Sequence, residues 1–216
     1  MTVFVEWLWF HLKMVLFIRT KYICDPPGVV LFGMATIAAA VGDVDLAVTC
    51  LIAAAAVMGF WLFNWPYGRL FLGDGGSYFC GFLVAWLGVM LVERNDDVTP
   101  FVPLLLCVHP VTEVLFSVYR RRKKSASPGQ PDRWHLHTLL MRRVIRGRVM
   151  RAWPLKPETA KLISNSMAGL VLALASVPPV LVAHWLMHSP WAAALACLGF
   201  ALGYVTLYAR LVRFGW

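Results

Sequence analysis

Long apolar runs alternate with short polar segments along this chain of 216 residues. A helix that crosses a bilayer needs about 20 mostly apolar residues, because each residue advances about 1.5 Å through about 30 Å of hydrocarbon. Five runs meet or nearly meet this length: Leu46–Phe63, Gly76–Val92, Pro100–Tyr119, Met167–His188 and Trp191–Ala209. Two further segments are weaker candidates, since Gly28–Val41 is short and Val3–Ile18 is interrupted by charged and polar side chains.

This pattern predicts an all-α integral membrane protein, a polytopic helical bundle of about six or seven transmembrane helices. We expect a single membrane domain over residues 1–216. The composition agrees, because 60% of the residues are hydrophobic and 14% are charged, whereas soluble domains are about 45–50% apolar and about a quarter charged. An ordinary cytosolic enzyme, a disordered chain and a disulfide-stapled secreted domain are excluded. The five cysteines are widely spread, so neither a metal site nor a disulfide framework is predicted from them.

The positive charge of the chain is concentrated in one segment. Residues 120–151 contain 11 of the 20 Lys and Arg residues and a single acid, Asp132, so they carry +10 and the rest of the chain −1. In a membrane protein such a basic loop is typical of the cytoplasmic side. We favour this interpretation over nucleic-acid binding and expect no nucleic-acid partner. Residues 64–75 then also lie inside, whereas residues 42–45 and 93–99 lie outside.

Two local patterns refine the bundle. Pro103 and Pro110 fall in one span and Pro178 and Pro179 in another, and a proline removes a backbone hydrogen bond, so both spans are predicted to be kinked. From Thr138 to Met150, aliphatic side chains alternate with arginines. This predicts a helix at the membrane surface that directs its apolar face to the bilayer and its arginines to lipid phosphates or solvent.

The first candidate for chemistry is the glycine-rich segment between the first two long runs. Gly73, Gly75 and Gly76 permit backbone amides to approach a phosphate closely. Asp74 supplies the hard oxygen ligand that Mg²⁺ prefers when it also binds substrate phosphates. Ser77 starts the next helix in this interpretation, where its hydroxyl caps the end and the helix N-terminus faces an anion. The alternative is a plain turn between two spans.

The second candidate is the segment Ser127–Thr138. Its two histidines, His135 and His137, point the same way only if the backbone is extended or turning, which the prolines of this segment favour. In this interpretation the imidazoles donate hydrogen bonds, the Arg133 guanidinium binds anionic oxygens through two N–H groups, and Asp132 orients one of these side chains. The alternatives are solvated histidines in a basic loop and a His-x-His metal site, which lacks an obvious third ligand.

Both candidates fall on the cytoplasmic side in the predicted topology. One offers a metal carboxylate and the other offers cationic donors, and the two together suit phosphoryl chemistry. We therefore predict a polyanionic substrate at the inner face of the membrane.

At these residues the chain resembles the polyprenyl-phosphate N-acetylhexosamine-1-phosphate transferases of glycosyltransferase family 4. The resemblance rests on Phe71–Ser77 (FLGDGGS), followed further along the chain by Pro131–His137 (PDRWHLH). Asn64 with Pro66 matches the Asn and Pro that precede the family's glycine-aspartate motif.

A further element, Pro110 with Glu113, resembles the family's Pro-x-x-Asp with Glu in place of Asp. The resemblance covers roughly residues 25–216, which correspond to the C-terminal part of the longer family chain.

The resemblance implies a Mg²⁺-dependent transfer of a sugar-1-phosphate, of the GlcNAc-1-phosphate type, from a UDP-sugar to undecaprenyl phosphate, with release of UMP. The reaction would take place at the cytoplasmic face of the bacterial inner membrane, in cell-envelope polysaccharide synthesis. By similarity, Asp74, His135 and His137 are catalytic and Asp74 is the Mg²⁺ ligand. The residues expected to contribute to substrate and cofactor binding are Asn64, Gly73, Gly75, Ser77 and Arg133.

The chain also departs from the family pattern. The family's adjacent aspartate pair has no counterpart, since Asp96 and Asp97 lie on a predicted outside loop, and Thr138 stands where a third histidine is usual. The alternative function is a truncated or degenerate, non-catalytic member that retains the membrane fold and weak binding of nucleotide or lipid phosphate. We accordingly expect little or no transferase activity from the 216-residue chain alone.

A small transporter is a weaker hypothesis for this chain. The polar motifs cluster at one face of the membrane, whereas transporters bind their substrates near its middle. The sequence leaves the association of chains open, and a homodimer is one assembly to consider.

Overall fold

The computed structural model describes residues 27–67, 70, 72–123, 136–153 and 156–213. The predicted segment Val3–Ile18 lies outside these residues. The helices, in chain order, are α1 (Pro27–Ala40), α2 (Val44–Asn64), α3 (Gly73–Glu93), α4 (Phe101–Leu106), α5 (Val108–Lys123), α6 (Leu136–Leu140), a π-helical turn (Met141–Ile145), α7 (Arg146–Ala152), α8 (Pro157–Ala175), α9 (Val177–Trp185) and α10 (Pro190–Arg213).

Four helical stretches are long and apolar enough to cross a membrane. They correspond to four of the five long runs found in the sequence, and α1 is a shorter apolar helix of 14 residues. The described part of the chain contains helices and no strand. The prediction of an all-α polytopic membrane protein is therefore confirmed. The four stretches are Val44–Asn64, Gly75–Glu93, Pro157–Trp185 and Pro190–Val212.

The fifth long run, Pro100–Tyr119, is broken into α4 and α5 at Cys107. Pro110 has no N–H group to donate to the carbonyl of Leu106, so the regular hydrogen-bond pattern cannot continue through this turn. The predicted kink is confirmed, and it is sharp enough to end one helix and begin another.

The second predicted kink separates α8 from α9 at Ser176. Pro179 cannot donate to the carbonyl of Ala175, which opens the helix at this turn. The backbone N–H and the hydroxyl of Ser176 both donate to the carbonyl of Leu172, at 3.1 and 3.0 Å. These bonds keep the two halves together as one bent span.

Helix α1 lies at the centre of the bundle. Most of its side chains are buried against neighbouring helices, which is the usual pattern of an apolar helix inside a bundle, whereas Phe32 is exposed. Gly33 permits the closest approach, since a Cβ atom there would lie 2.9 Å from Val180 of α9 and 3.0 Å from Leu106 of α4. The largest fully buried side chains around it include Leu31, Met34, Ile37, Leu87, Leu91 and Leu105.

One end of the bundle, here called the acidic end, consists of residues 41–45, 94–99 and 186–189. Arg94 donates to both carboxylate oxygens of Asp43, at 2.7 and 2.8 Å. The backbone N–H of Thr99 donates to the carbonyl of Met187 at 2.9 Å. The loops that the sequence predicts to lie outside therefore meet at one end.

The opposite end, here called the basic end, consists of residues 64–67, 70, 72–73, 120–123, 136–153 and 208–213. Arg143 donates to the last carbonyls of α10, at 2.8 Å for Val212, and Arg120 donates to the Tyr208 hydroxyl. These bonds join arginines of the basic end to the last turns of α10, as expected of cations near helix C-terminal carbonyls.

The arginine-rich segment is helical from Leu136 to Ala152 through the π-helical turn, so the predicted helix over 138–150 is confirmed. Part of its apolar face packs on another helix, and its position at the membrane surface stays a prediction. Ile145 and Val149 are buried against Ala160 and Ala168 of α8. An alternation of aliphatic and basic residues indicates which face is apolar but not whether lipid or another helix covers it.

Candidate functional site

The glycine-rich segment forms the first turn of α3, four residues earlier than predicted. Gly73 enters the helix with φ of +70°, a left-handed conformation that glycine adopts without the steric cost of a Cβ atom. Ser77 is therefore not the residue that caps the helix. Its hydroxyl donates back to the carbonyl of Gly73 at 2.9 Å, and the N-cap position, Leu72, makes no side-chain cap bond.

This arrangement leaves the first backbone N–H groups of α3 without intrahelical acceptors. Gly75 is exposed and a Cβ atom there would meet nothing within 4 Å, so the turn is open to a ligand. Asp74 lies in the same turn, and its side chain is outside the described part of the structure. The turn can accept an anion through its amides.

Asn64, the last residue of α2, holds the backbone segment that leads to this turn. It is buried, with 5% of its surface exposed, and its Oδ1 accepts the backbone N–H of Leu70 at 3.0 Å. The oxygen of the predicted binding residue is thus engaged by the backbone that leads to Gly73.

A second anchor of the same turn comes from α8 and was missed from sequence. The hydroxyl of Ser166 donates to the carbonyl of Pro66 at 2.5 Å, and Nε1 of Trp65 donates to the carbonyl of Ser166 at 3.4 Å. The only sequence signal was a pair of serines, Ser164 and Ser166, at the start of an apolar helix.

The second candidate, Ser127–Thr138, is here called the histidine segment, and the structure describes it from Leu136 onward. Arg133 and His135 lie outside the described residues, and His137 lies in α6 with its side chain outside them. Leu136 and Leu139 are buried, at 3% and 4% exposure, in a cluster with Tyr204 and Tyr208 of α10. The start of α6 is therefore fixed against the last span.

Helix α8 contacts both candidate segments. Ser166 bonds the turn before Gly73, and Ala160 and Ala168 pack against the helix that begins at Leu136. The two segments thus share one scaffold at the basic end. Asp97 lies at the acidic end, where its carbonyl is 3.0 Å from Nδ1 of His188.

An apolar cavity of about 560 Å³ lies between α5, α6, α8, α9 and α10. Leu136 and Leu140 line it beside the histidine segment, and His109 lines it from α5. Nε2 of His109 is buried and has no hydrogen-bond partner among the described residues. Gly199 and Gly203 are exposed lining residues on α10, where a Cβ atom would meet nothing within 4 Å.

Asp74 is the residue at the basic end that would offer a carboxylate to a magnesium ion held jointly with a substrate. Within the described ranges, no group of three His, Cys, Asp or Glu side chains is placed to hold a metal ion. Mg²⁺ is commonly bound through one or two carboxylates together with substrate phosphates and waters, and does not need a complete protein cage.

The fold and the two ends together define an all-α polytopic membrane protein. Residues 27–92 match the model of the family described as "Glycosyl transferase family 4". The resemblance to this family that the motifs indicate is therefore confirmed over this part of the chain. No solved structure matches the chain significantly.

Curated relatives agree with the family match, and each is named undecaprenyl-phosphate alpha-N-acetylglucosaminyl 1-phosphate transferase. The chain is 27% identical over 177 residues to the protein of Escherichia coli O157:H7 and 28% identical to that of Yersinia pestis, covering 80% of this chain and 46% of each relative. It is 33% identical over 106 residues to the protein of Escherichia coli strain K12, covering 47% of this chain and 29% of that relative. The chain thus spans about half the length of the curated relatives it matches over most of its own length.

Proposed function

We propose that this chain forms part of a sugar-1-phosphate transferase that moves GlcNAc-1-phosphate, or a related group, from a UDP-sugar to undecaprenyl phosphate. The bacterial inner membrane is its location and the basic end is its cytoplasmic face. One observation carries the proposal: helix α8 bonds the turn before Gly73 and also packs on the helix that follows His135. The two motifs of the family resemblance therefore share one scaffold.

The proposed reaction joins two anions. An oxygen of the lipid phosphate attacks the β-phosphorus of the UDP-sugar, the bond between that phosphorus and the bridging oxygen breaks, and UMP leaves. Bound Mg²⁺ supplies positive charge that offsets the repulsion between the phosphates. The chain's own part is to hold the phosphates in place: Asp74 offers a ligand to the ion, and His135, His137 and Arg133 donate hydrogen bonds to phosphate oxygens.

Charge at the basic end supports an anionic substrate. Arg142, Arg143 and Arg148 are exposed on the helix that follows the histidines. These cations attract nucleotide and lipid phosphates to the same face of the membrane.

The apolar cavity supports a lipid acceptor. Its wall includes Leu136 and Leu140, next to the histidine segment, and it extends between the spans to Gly199. A hydrocarbon chain in this cavity would place its phosphate near the basic end. Because such a chain would enter from the bilayer and not from water, packing contacts with the cavity wall would stabilise it.

A non-catalytic protein that binds nucleotide or lipid phosphate is the second candidate. It is favoured by the single carboxylate, Asp74, that the glycine-rich turn offers to a metal. Binding and turnover separate the two candidates, because only the transferase converts UDP-GlcNAc and undecaprenyl phosphate to UMP and a lipid-linked product.

The direct test is calorimetry of UDP binding in detergent, with and without Mg²⁺. Asp74→Asn should abolish the enhancement by Mg²⁺, because it removes the charge that holds the cation while keeping the shape of the side chain. His137→Ala should weaken binding in both conditions by about 1–3 kcal/mol, as expected for loss of a charged hydrogen bond. Asp96→Asn, at the acidic end, is the matched control and should bind like the wild type. Identical isotherms for all four proteins would contradict the proposed site.

A further inference from the structure

Glu113 is a buried acidic residue of α5, with 4% of its surface exposed. Its Oε1 accepts the backbone N–H of Leu136 at 2.9 Å, across 23 residues of sequence. The Tyr204 hydroxyl of α10 is also hydrogen-bonded to this carboxyl group. Burial of a carboxyl group is costly unless hydrogen bonds compensate it, so both contacts stabilise Glu113 in this position.

The partner of Glu113 is the first residue of α6. The first N–H groups of a helix have no acceptor within the helix, and a carboxylate near this end is favourable because it complements the positive end of the helix dipole. Leu136 stands between His135 and His137 in sequence. A bond to the Leu136 amide therefore fixes the point at which α6 begins.

Apolar packing against α10 also fixes the position of Leu136. The Leu136 side chain is buried with Leu139, Tyr204 and Tyr208. This packing limits the distance between α6 and α10, but it is not directional. The hydrogen bond to Glu113 adds the direction, because the N–H of Leu136 must point at Oε1.

We propose that Glu113 is a positioning residue for the histidine segment. By holding the Leu136 amide, it fixes the first residue of α6, the helix that contains the backbone of His137. The role rests on the proposed function, since these histidines are the donors assigned to the phosphates. Glu113 itself lies beneath the segment, in contact with Leu136 and Tyr204.

Two substitutions at Glu113 test whether its hydrogen-bond acceptor oxygen anchors α6. Glu113→Gln keeps a carbonyl oxygen in nearly the same place, so α6 should stay anchored. Glu113→Ala removes the acceptor and leaves the N–H of Leu136 and the hydroxyl of Tyr204 without this partner. Thr99→Val is the control, because Thr99 is a buried polar residue at the acidic end, away from this cavity, and its hydroxyl has no hydrogen-bond partner among the described residues.

Hydrogen–deuterium exchange of the full chain in detergent tests the anchor without relying on activity. The peptide that covers residues 136–140 should exchange about tenfold faster or more in Glu113→Ala, as expected for loss of a charged hydrogen bond. Exchange should be near that of the wild type in Glu113→Gln and Thr99→Val. Unchanged exchange in Glu113→Ala would overturn the proposal.

UDP binding in the presence of Mg²⁺ tests the consequence for the histidines. Affinity should fall about tenfold in Glu113→Ala and recover to within about threefold in Glu113→Gln. Faster exchange with unchanged UDP affinity would overturn the positioning role and reduce the bond to a structural one. A wild type that binds no UDP would contradict the proposed function, and the exchange experiment would still decide whether Glu113 holds the segment.

Discussion

The hydroxyl of Ser166 donates a hydrogen bond of 2.5 Å to the carbonyl oxygen of Pro66, across 100 residues of sequence. The same serine hydroxyl is 3.1 Å from the carbonyl of Leu162, one turn earlier in α8. Ser166 therefore joins the helix that packs on the arginine-rich segment to the turn that leads to Asp74. The relative position of the two candidate motifs depends on this contact.

Removal of this contact should affect the glycine-rich turn. We expect Ser166→Ala to weaken Mg²⁺-dependent UDP binding by about 0.5–1.5 kcal/mol, the net value of one hydrogen bond. Calorimetry in detergent measures the change.

Ser164→Ala is the control for this prediction. Ser164 is fully buried in the same helix, and its hydroxyl donates to the carbonyl of Ala160, four residues before it. Its loss should leave UDP affinity unchanged. Equal effects of the two substitutions would show that α8 does not position the turn through Ser166.

The apolar cavity should respond to substitutions that fill it. At Gly199 and Gly203 a Cβ atom meets nothing within 4 Å, so a leucine side chain can occupy the cavity without a backbone clash. We expect Gly199→Leu and Gly203→Leu to weaken binding of undecaprenyl phosphate, because the leucine side chain would exclude part of the hydrocarbon chain from the cavity. UDP affinity should be unchanged. Native mass spectrometry of the detergent-solubilised protein measures both ligands.

Gly59→Leu is the control for the cavity substitutions. Gly59 lies on α2, and a Cβ atom there also meets nothing within 4 Å, but Gly59 does not line the cavity. If Gly59→Leu weakened lipid binding by the same amount, the effect would come from the membrane-facing surface in general and not from the cavity.

The spans were predictable from sequence because the bilayer demands a long apolar run whatever the neighbouring helices are. The breaks at Cys107 and Ser176 were predictable too, because proline removes a backbone donor locally. The start of α3 was not, since a positive φ at Gly73 lets the helix begin before Ser77.

The contacts that join the candidate motifs could not be read from local patterns. Glu113 reaches Leu136 and Ser166 reaches Pro66 only once distant segments have packed together. The apolar face of the arginine-rich helix likewise meets α8, where periodicity alone indicates a membrane surface. Local sequence patterns therefore predicted that the two candidate motifs share one end of the bundle, but not the contacts that hold this end together.

The close approach at Gly33 predicts a stability effect. A Cβ atom there would lie 2.9 Å from Cγ1 of Val180 and 3.0 Å from Cδ2 of Leu106. We expect Gly33→Ala to destabilise the protein by about 1–3 kcal/mol through overpacking. Gly59→Ala, in open space, should instead stabilise α2 by up to about 1 kcal/mol. Thermal unfolding in detergent compares the two, and equal effects would contradict the tight contact between α1 and α9.

The ion pair at the acidic end predicts a pH dependence. Hydrogen bonds from Arg94 hold the pKa of the Asp43 carboxyl below its usual range. Because the pKa is lower in the folded state, the stabilisation is present above the unfolded pKa of about 3.9 and is lost as pH falls through the folded value. Asp43→Asn should therefore unfold at a lower temperature than the wild type at pH 7, with a difference that shrinks below about pH 4.

Asp45→Asn provides the comparison, since Asp45 is nearby in the first turn of α2 but outside this ion pair. Its effect should be smaller at pH 7. A difference between Asp43→Asn and the wild type that persists unchanged at about pH 2 would contradict the role of the Asp43 charge.

The orientation of the bundle can be tested with single cysteines. We expect a thiol reagent that cannot cross the membrane to label Asp96→Cys, at the acidic end, in intact spheroplasts of a background without native cysteines. Arg148→Cys is exposed at the basic end and should be labelled only after the membrane is opened, because the +10 segment is expected on the cytoplasmic side. The reverse pattern would put the phosphate-binding motifs outside, away from cytoplasmic nucleotide, and would exclude a UDP-sugar as the donor.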